Sequence, residues 1–479
     1  MLASKALKGA GWLVFSRFVT RIIDSVTLLV LARILTPADF GIAALATSMV
    51  VIVDTVLEVP VTQALLRLDA IDKKHLDTGF TLSLLRSVVV AAILLVIVWP
   101  FSVFNHDPLL IPLVAVLAIG PIARGLSSPG MVYFARDLGF RQIFLLETFG
   151  KVCASIVAIT VVLSGGRYWA IAANFATASV AATGLSYVLA PYRPAFSLAR
   201  LRDFAGFIGW FSSAQLVAAL NWQFDRFLIG AFADKPTLGR YAVASDVAVI
   251  PSQSIIGPAQ QPVMAAFSRI THDPERMRTA FLKAVRFITM VSLPVCIGIS
   301  LTADLVTDLL LGSQWKASAP LLSLLALSIL PIPYFQTLNS ASLASDRPHV
   351  IFRLNVIDLG FRLVAVVAGF YLYSVTGVSI ARVLLAAVMF FFYLTETRRL
   401  LGLAISEQLM NIWKIPVAGA AMAIGVLVLR EEVAGRGWHD VVELAVVSTG
   451  GAAIYAGALL GLGMRLVAGA GRLELVDRS

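Results

Sequence analysis

AGFIGWFSSAQLVAALNWQFDRFLIGAF (205–232), ADKPTLGR (233–240) and YAVASDVAVIPSQSIIGPAQQPVMAAFSR (241–269) form the stretch around which this chain is organised. The outer segments are long and apolar and the middle one is a short polar break, which predicts two membrane-length helices joined by a tight turn. The stretch is also a copy. Displacing the chain against itself by 198 residues, without a gap, lays Gly11, Trp12, Gly41, Ala44, Ala46, Val51, Ile52, Pro60 and Gln63 on Gly209, Trp210, Gly239, Ala242, Ala244, Val249, Ile250, Pro258 and Gln261. Both halves therefore open on the same helical hairpin. In membrane proteins built from two copies of one bundle, the binding site lies between the copies and alternating access follows from their rocking.

Composition fixes the class. The chain is 59% hydrophobic and 14% charged, with a mean hydropathy of +0.87, and its polar breaks are too short for a soluble domain. The apolar runs lack the in–out alternation of barrel strands, and every backbone amide in hydrocarbon needs an internal partner, so the spans are expected to be helices. The net charge of +10 is spread over short loops and does not form a nucleic-acid-binding face. Lys5 and Lys8 precede an apolar stretch, but Arg17, Arg21 and Asp24 interrupt it, which reads as a retained first helix and not a cleaved signal. Cys153 and Cys296 fall inside apolar spans and read as buried, inert thiols.

The fold expected is an all-α integral membrane protein of about fourteen transmembrane helices, arranged as two pseudo-symmetric six-helix bundles plus two C-terminal helices. The spans run approximately over 11–33, 41–64, 78–100, 109–128, 143–164, 168–190, 206–231, 241–267, 281–303, 317–340, 349–371, 377–396, 413–429 and 440–464. Residues 1–190 make the first bundle, 191–205 a cytoplasmic linker, 206–400 the second bundle, and 401–479 helices thirteen and fourteen with a cytoplasmic tail. Kinks are expected at Gly120-Pro121, Pro251, Pro258, Pro262, Pro331 and Pro333. Twenty-one lysines and arginines, Arg124 among them, are counted with the loops on the side of the N-terminus against seven on the other, which places both termini in the cytoplasm. In the linker, Leu198, Leu201 and Phe204 recur at helical spacing among Arg200 and Arg202, a pattern that suits the inner leaflet as well as a plain basic tether.

Ten basic residues remain within the spans: Arg17, Arg21, Arg86, Lys151, Arg226, Arg286, Arg353, Arg362, Arg382 and Lys414. Arg86, Arg286, Arg353, Arg382 and Lys414 lie near span ends, where long side chains reach water. Arg17, Arg21 and Arg362 lie deeper; an unpaired arginine at the centre of lipid costs about 2.5–3.5 kcal/mol, so these are expected to face protein or a wet cavity. Arg17, Arg21 and Asp24 share one helix face. That face reads either as a cationic wall for an anionic ligand, guanidinium being suited to phosphate, or as a self-neutralising Arg21–Asp24 pair. The substrate-binding candidates are Arg17, Arg21, Asp24, Arg226, Arg362 and Arg382. Asp24, Asp225 and Asp358 are the candidate proton- or sodium-coupling carboxylates, with structural ion pairing as the competing reading. The five histidines are scattered beside loops, and neither an HExxH nor a GxxxxGK[ST] pattern occurs. No enzyme activity, cofactor or metal site is expected.

LARILTPADFGIAALA (31–46) and DRFLIGAFADKPTLGRYAVA (225–244) are accompanied by YFARDLGFRQI (133–143) and YRPAFSLARLRDFAGFIG (192–209). Together they resemble the bacterial flippases for polysaccharide units and lipid-linked oligosaccharides, in the multidrug/oligosaccharidyl-lipid/polysaccharide exporter superfamily. The family's L-x-R-x-L-x-P-x-x-F-G and D-x-x-x-x-G…L-G-x-Y-x-x-A patterns fall on the first two stretches. The resemblance implies a central cavity lined with basic residues, matched by Arg17 and Arg21, in the inner membrane of a bacterium. The implied cargo is an undecaprenyl-diphosphate-linked oligosaccharide destined for lipopolysaccharide, exopolysaccharide or capsule. It also implies contact with membrane lipid, with polysaccharide polymerase or export proteins as partners and no nucleic acid. Arg226 adjoins the motif residue Asp225, whereas Arg362 and Arg382 rest on membrane physics alone. The alternative is a drug or small-cation exporter of the same superfamily, which intramembrane arginines disfavour by repulsion. A scaffold for envelope enzymes is the third reading.

Overall fold

The computed structural model describes the backbone of residues 2–66, 68, 70–136, 140–253, 257–434, 439–469 and 472–477. Side chains are described there except at 2–14, 17, 63, 140, 205–215, 257–259, 261, 262, 265, 434, 465–469 and 472–477. The chain divides into two compact units, Met1–Ala242 and Val243–Ser479.

In the first unit the helices are α1 (Leu2–Ile34), α2 (Pro37–Val56), α3 (Val61–Leu66), α4 (Lys73–Phe104), α5 (Leu110–Leu117), α6 (Ile119–Gly125), α7 (Met131–Arg136), α8 (Phe140–Leu163), α9 (Trp169–Leu189) and α10 (Leu201–Phe232). Helix α11 (Lys235–Pro251) runs from this unit into the next. The start of α2 shows how caps set boundaries. Thr36 and Asp39 form a capping box, each side chain taking the other's backbone N–H, and Pro37 sits where no amide partner is needed. The helix therefore begins four residues ahead of the expected 41. It ends at Val56, before the expected 64.

Small residues set the packing distances. On α8, Gly150 approaches α9 so closely that a Cβ there would lie 2.7 Å from the Ala178 carbonyl oxygen, and Ala154 and Ala158 of α8 are buried with Ala172 and Ala176 of α9. A second core gathers Val61, Leu65, Leu76, Val132 and Phe204. The linker is not helical before Leu201. Ser197 N–H donates to Thr81 Oγ1 at 3.0 Å and Tyr192 Oη–H to Asp77 Oδ1 at 2.6 Å, which lays the linker along the start of α4. Phe204 is buried while Phe196, Leu198 and Leu201 are exposed, so the single apolar face expected for Leu198, Leu201 and Phe204 is not formed.

The second unit continues with α12 (Gly257–Ser268), α13 (Pro274–Leu301), α14 (Ala303–Val306), α15 (Ala319–Ser328), α16 (Ile332–Ala344), α17 (His349–Leu401), α18 (Ile405–Ile412), α19 (Lys414–Ala434) and α20 (Asp440–Gly461). Its core stacks Phe267, Phe281, Tyr334 and Phe390. The Tyr334 hydroxyl donates to Gln408 Oε1 at 2.5 Å, and Gln408 Nε2 donates to the Leu403 carbonyl at 2.9 Å, which ties α16 to α18. An antiparallel hairpin of β1 (Met464–Gly469) and β2 (Arg472–Asp477) follows α20, an element the sequence reading did not contain.

Among the described residues eight helices are long and apolar enough to cross a membrane, or nine if the bent pair α18–α19 is one span. This is fewer than the fourteen expected from apolarity. Arg17, Arg21 and Asp24 break the apolar run of α1; α5 and α6 part at Ala118, with Gly120-Pro121 in the first turn of α6, and Pro251 ends α11. Helix α17 has 53 residues, but Tyr373 and Ser374 leave helical geometry (Ser374 φ 51°) and the chain doubles back. Phe361 and Phe392 lie 5.7 Å apart across the fold, where a straight helix would separate them by about 46 Å. Gly369 and Gly377 face each other at the bend, where a Cβ on Gly377 would stand 2.7 Å from the Gly369 carbonyl carbon.

Candidate functional site

The polar face of α1 meets α8. Asp24 takes Lys151 Nζ as its close partner, Arg21 Nη1 stands 3.8 Å from the same carboxylate, and Thr27 and Ser155 bond at 2.6 Å one turn on. Lys151 was among the intramembrane cations but had no partner in the sequence reading; 127 residues separate it from Asp24, so no local spacing reveals the tie. Two cations share one carboxylate, and all three side chains are between 31% and 44% exposed. The cluster thus keeps one net positive charge in reach of a ligand. The side chain of Arg17 lies outside the described residues.

The other candidates occupy α10 and α17. Asp225 is buried and accepts the Tyr241 hydroxyl at 3.0 Å, which closes the α10–α11 hairpin. Arg226, beside it, is partly buried and engaged by neighbours, as is Arg382 on the returning arm of α17. Asp358 and Arg362 pair within one turn, Arg362 Nη2 donating to Asp358 Oδ2 at 2.9 Å with both side chains nearly buried. The structure brings Arg21 to Asp24 and Arg362 to Asp358.

Two features escaped the sequence reading. First, Asp54 on α2 binds both Arg86 of α4 and Arg124 of α6, at 2.6 and 2.5 Å. Arg86 had been taken as reaching for water and Arg124 as a loop residue; Arg124 instead closes α6 inside an apolar segment. Second, the duplicated glycines meet. A Cβ on Gly41 would lie 2.7 Å from the carbonyl carbon of Lys235, and one on Gly239 would lie 2.8 Å from that of Pro37. Displacement by 198 residues carries Gly41 to Gly239 and Pro37 to Lys235, so the two contacts are one contact repeated by the internal symmetry. Ion pairs flank the crossing: Asp39 with Arg167 at 3.1 Å, and Asp107 with Lys235 at 2.5 Å, both carboxylates only 3% exposed.

Among the described residues no three His, Cys, Asp or Glu side chains are grouped to hold a metal. The profile of the family described as polysaccharide biosynthesis protein matches residues 30–320, more than half the chain. The lipopolysaccharide biosynthesis protein WzxC of Escherichia coli (strain K12) is 21% identical over 440 residues, covering 89% of each chain. The succinoglycan biosynthesis transport protein ExoT of Rhizobium meliloti (strain 1021) is 26% identical over 330 residues, covering 68% of this chain and 66% of the other. Among solved structures, the inward closed conformation of the lipid II flippase MurJ matches with a TM-score of 0.72 at 12% identity, covering 95% of this chain and 100% of that one, a likeness of fold. With that family match over a multi-pass helical fold, the chain belongs to the polysaccharide biosynthesis protein family.

Proposed function

We propose that this protein carries an undecaprenyl-diphosphate-linked oligosaccharide from the inner to the outer leaflet of a bacterial cytoplasmic membrane, for surface polysaccharide assembly. The observation that carries the reading is the half-exposed Arg21–Asp24–Lys151 cluster, which holds a net positive charge where α1 packs on the membrane-length helix α8. A diphosphate headgroup is the lipid-borne group that such a cluster attracts, and an organic cation is one that it repels. In this reading the chain has fourteen spans in two six-helix bundles plus two helices, with both termini cytoplasmic as the loop charges predict. Arg17, Arg226, Arg362 and Arg382 are the further candidates for headgroup contact, Arg362 only where its pair with Asp358 opens. Asp24, Asp225 and Asp358 are the carboxylates from which a coupling ion would be released or taken up. The glycine crossing then lies on the outer side, closed while the headgroup is taken from the inner leaflet. Transport needs weaker pairing in the outward state, because a ligand bound equally well in both states shifts neither.

Loss of the gene tests this in cells. Surface polysaccharide should disappear while the lipid-linked unit accumulates on the cytoplasmic face, and a copy with Arg21→Ala should restore little of it. Normal surface polysaccharide in the deletion strain would sink the proposal.

A further inference from the structure

We infer that Arg124 is a phosphate-binding group, held in place by Asp54, Ser179 and Phe175, and that it receives the diphosphate of the lipid substrate at one end of the first unit. The inference rests on the lipid-diphosphate reading above and extends it to a second cluster, separate in sequence from the α1 face.

The members of the cluster have different tasks. Arg86 is committed to structure: its Nε donates to the Leu57 carbonyl at 2.9 Å, and its Nη2 donates to the Asp54 backbone carbonyl and, at 2.6 Å, to Asp54 Oδ1. It thereby covers carbonyls at the end of α2 and sets a cation against the negative end of that helix. Asp54 has both oxygens engaged, Oδ2 by Arg124 Nη2 at 2.5 Å. Arg124 Nη1 also donates to Ser179 Oγ at 2.9 Å, and its guanidinium carbon lies 5.6 Å from the centre of the Phe175 ring. A guanidinium carries five N–H donors. Among the described residues two of them are engaged, and the side chain is 41% exposed.

Packing holds this orientation. A Cβ on Gly125 would stand 2.6 Å from Ser87 Cβ, and one on Gly120 would stand 2.7 Å from the Phe175 ring, so α6 lies directly against α4 and α9. The fork is pre-oriented by a carboxylate, a hydroxyl and an aromatic face, which lowers the entropy lost on binding a second anion. With two guanidiniums and one carboxylate, the cluster keeps one positive charge. Asp54 lies fifteen residues beyond Asp39 on α2, about 22 Å along the helix axis. The cluster is therefore near the end of the unit opposite the glycine crossing, at a depth where the hydrocarbon core of about 30 Å gives way to headgroups. A lipid phosphate reaches that depth without leaving the interface.

The test measures binding of a fluorescent short-chain polyprenyl diphosphate to the purified full-length protein in nanodiscs. Inorganic pyrophosphate serves as soluble competitor and the matching polyprenol as a lipid without phosphate. In Arg124→Gln the diphosphate affinity should fall at least tenfold, with a shallower salt dependence, while polyprenol binding and the thermal midpoint stay near wild type. Arg124→Lys, which keeps the charge but not the planar fork, should bind about three- to tenfold more weakly than wild type. It is the deciding variant if the glutamine variant does not fold. Wild-type affinity in either folded variant overturns the site and leaves the flippase reading standing. If wild type binds pyrophosphate but not the lipid, and Arg124→Gln abolishes that binding, the anion site stands and the lipid reading falls. If wild type binds neither, both fall.

Discussion

Replacing Gly41 by alanine puts a methyl group into the close glycine contact between α2 and α11. The new Cβ would stand 2.7 Å from the Lys235 carbonyl carbon and 3.0 Å from its Cα. Carbon atoms rest at about 3.5–4.0 Å, so α2 and α11 must separate by roughly 1 Å. The obstructing atoms are backbone and cannot rotate aside, which places the cost at the usual overpacking value of about 1–3 kcal/mol. For a unit of this size each kcal/mol moves the thermal midpoint by about 2–4 °C, and the expected loss is about 2–12 °C. Gly239→Ala should behave alike, since its Cβ would lie 2.8 Å from the Pro37 carbonyl carbon and 2.9 Å from the Gly41 amide nitrogen. One separation relieves both contacts, so the double variant should lose less than the sum of the singles. The assay is thermal unfolding of the purified full-length protein, with Gly184→Ala and Gly457→Ala as controls. A Cβ at either control position meets nothing within 4 Å, and alanine there should be neutral or stabilising by about 0.5–1 kcal/mol. If Gly41→Ala unfolds with the controls, the close crossing is wrong.

The buried carboxylates beside that crossing make a second prediction. Lys235→Met leaves Asp107 buried with the Leu109 N–H, at 3.1 Å, on its other oxygen. The expected loss is about 1–3 kcal/mol, below the value for a fully buried pair because Lys235 is half exposed; adding Asp107→Asn should recover part of it, as a double-mutant cycle would measure. A third prediction concerns pH. Asp72 caps α4, and the His75 backbone N–H, 2.8 Å from its carboxylate, holds its pKa below the ordinary 3.8 against an opposing desolvation, with Arg200 adding to the effect. Because the folded pKa is depressed, its contribution is present above the unfolded value and is lost as pH falls through the folded one. The thermal midpoint of Asp72→Asn should therefore lie below wild type by a constant margin from about pH 5 to 8, and the gap should close only under stronger acid.

Much of this architecture is legible in the sequence because it follows from apolarity and from punctuation. The shift of 198 residues aligns Gly41 with Gly239 without foretelling that they touch, and of the predicted breaks Pro251 and Pro331 fall where helices are interrupted, while Gly120-Pro121 follows the break at Ala118 by two residues. Helix starts are less legible, since caps and not apolar residues set them. Asp72 starts α4 at Lys73, not 78, and Asp273 starts α13 at Pro274, not 281. Charge partners are legible only when local. Asp358 and Arg362 are one turn apart, and their pairing follows from spacing; Asp24–Lys151 and Asp54–Arg124 join residues 127 and 70 positions apart and depend on which helices pack together. Arg124 was counted with the loop charges although it falls inside the expected span 109–128. Ser179 and Phe175, 55 and 51 residues on, are what hold it within the bundle.

The most direct test of the transport reading is transbilayer movement itself. Full-length protein in liposomes would be given a fluorescent undecaprenyl-diphosphate oligosaccharide, and the outer-leaflet label followed by quenching, with Arg17→Ala and Arg21→Ala alongside. The account predicts movement by wild type and a clear loss in both variants while they remain folded. No movement by wild type under a proton gradient, a sodium gradient or neither, together with expulsion of an organic cation, would contradict it.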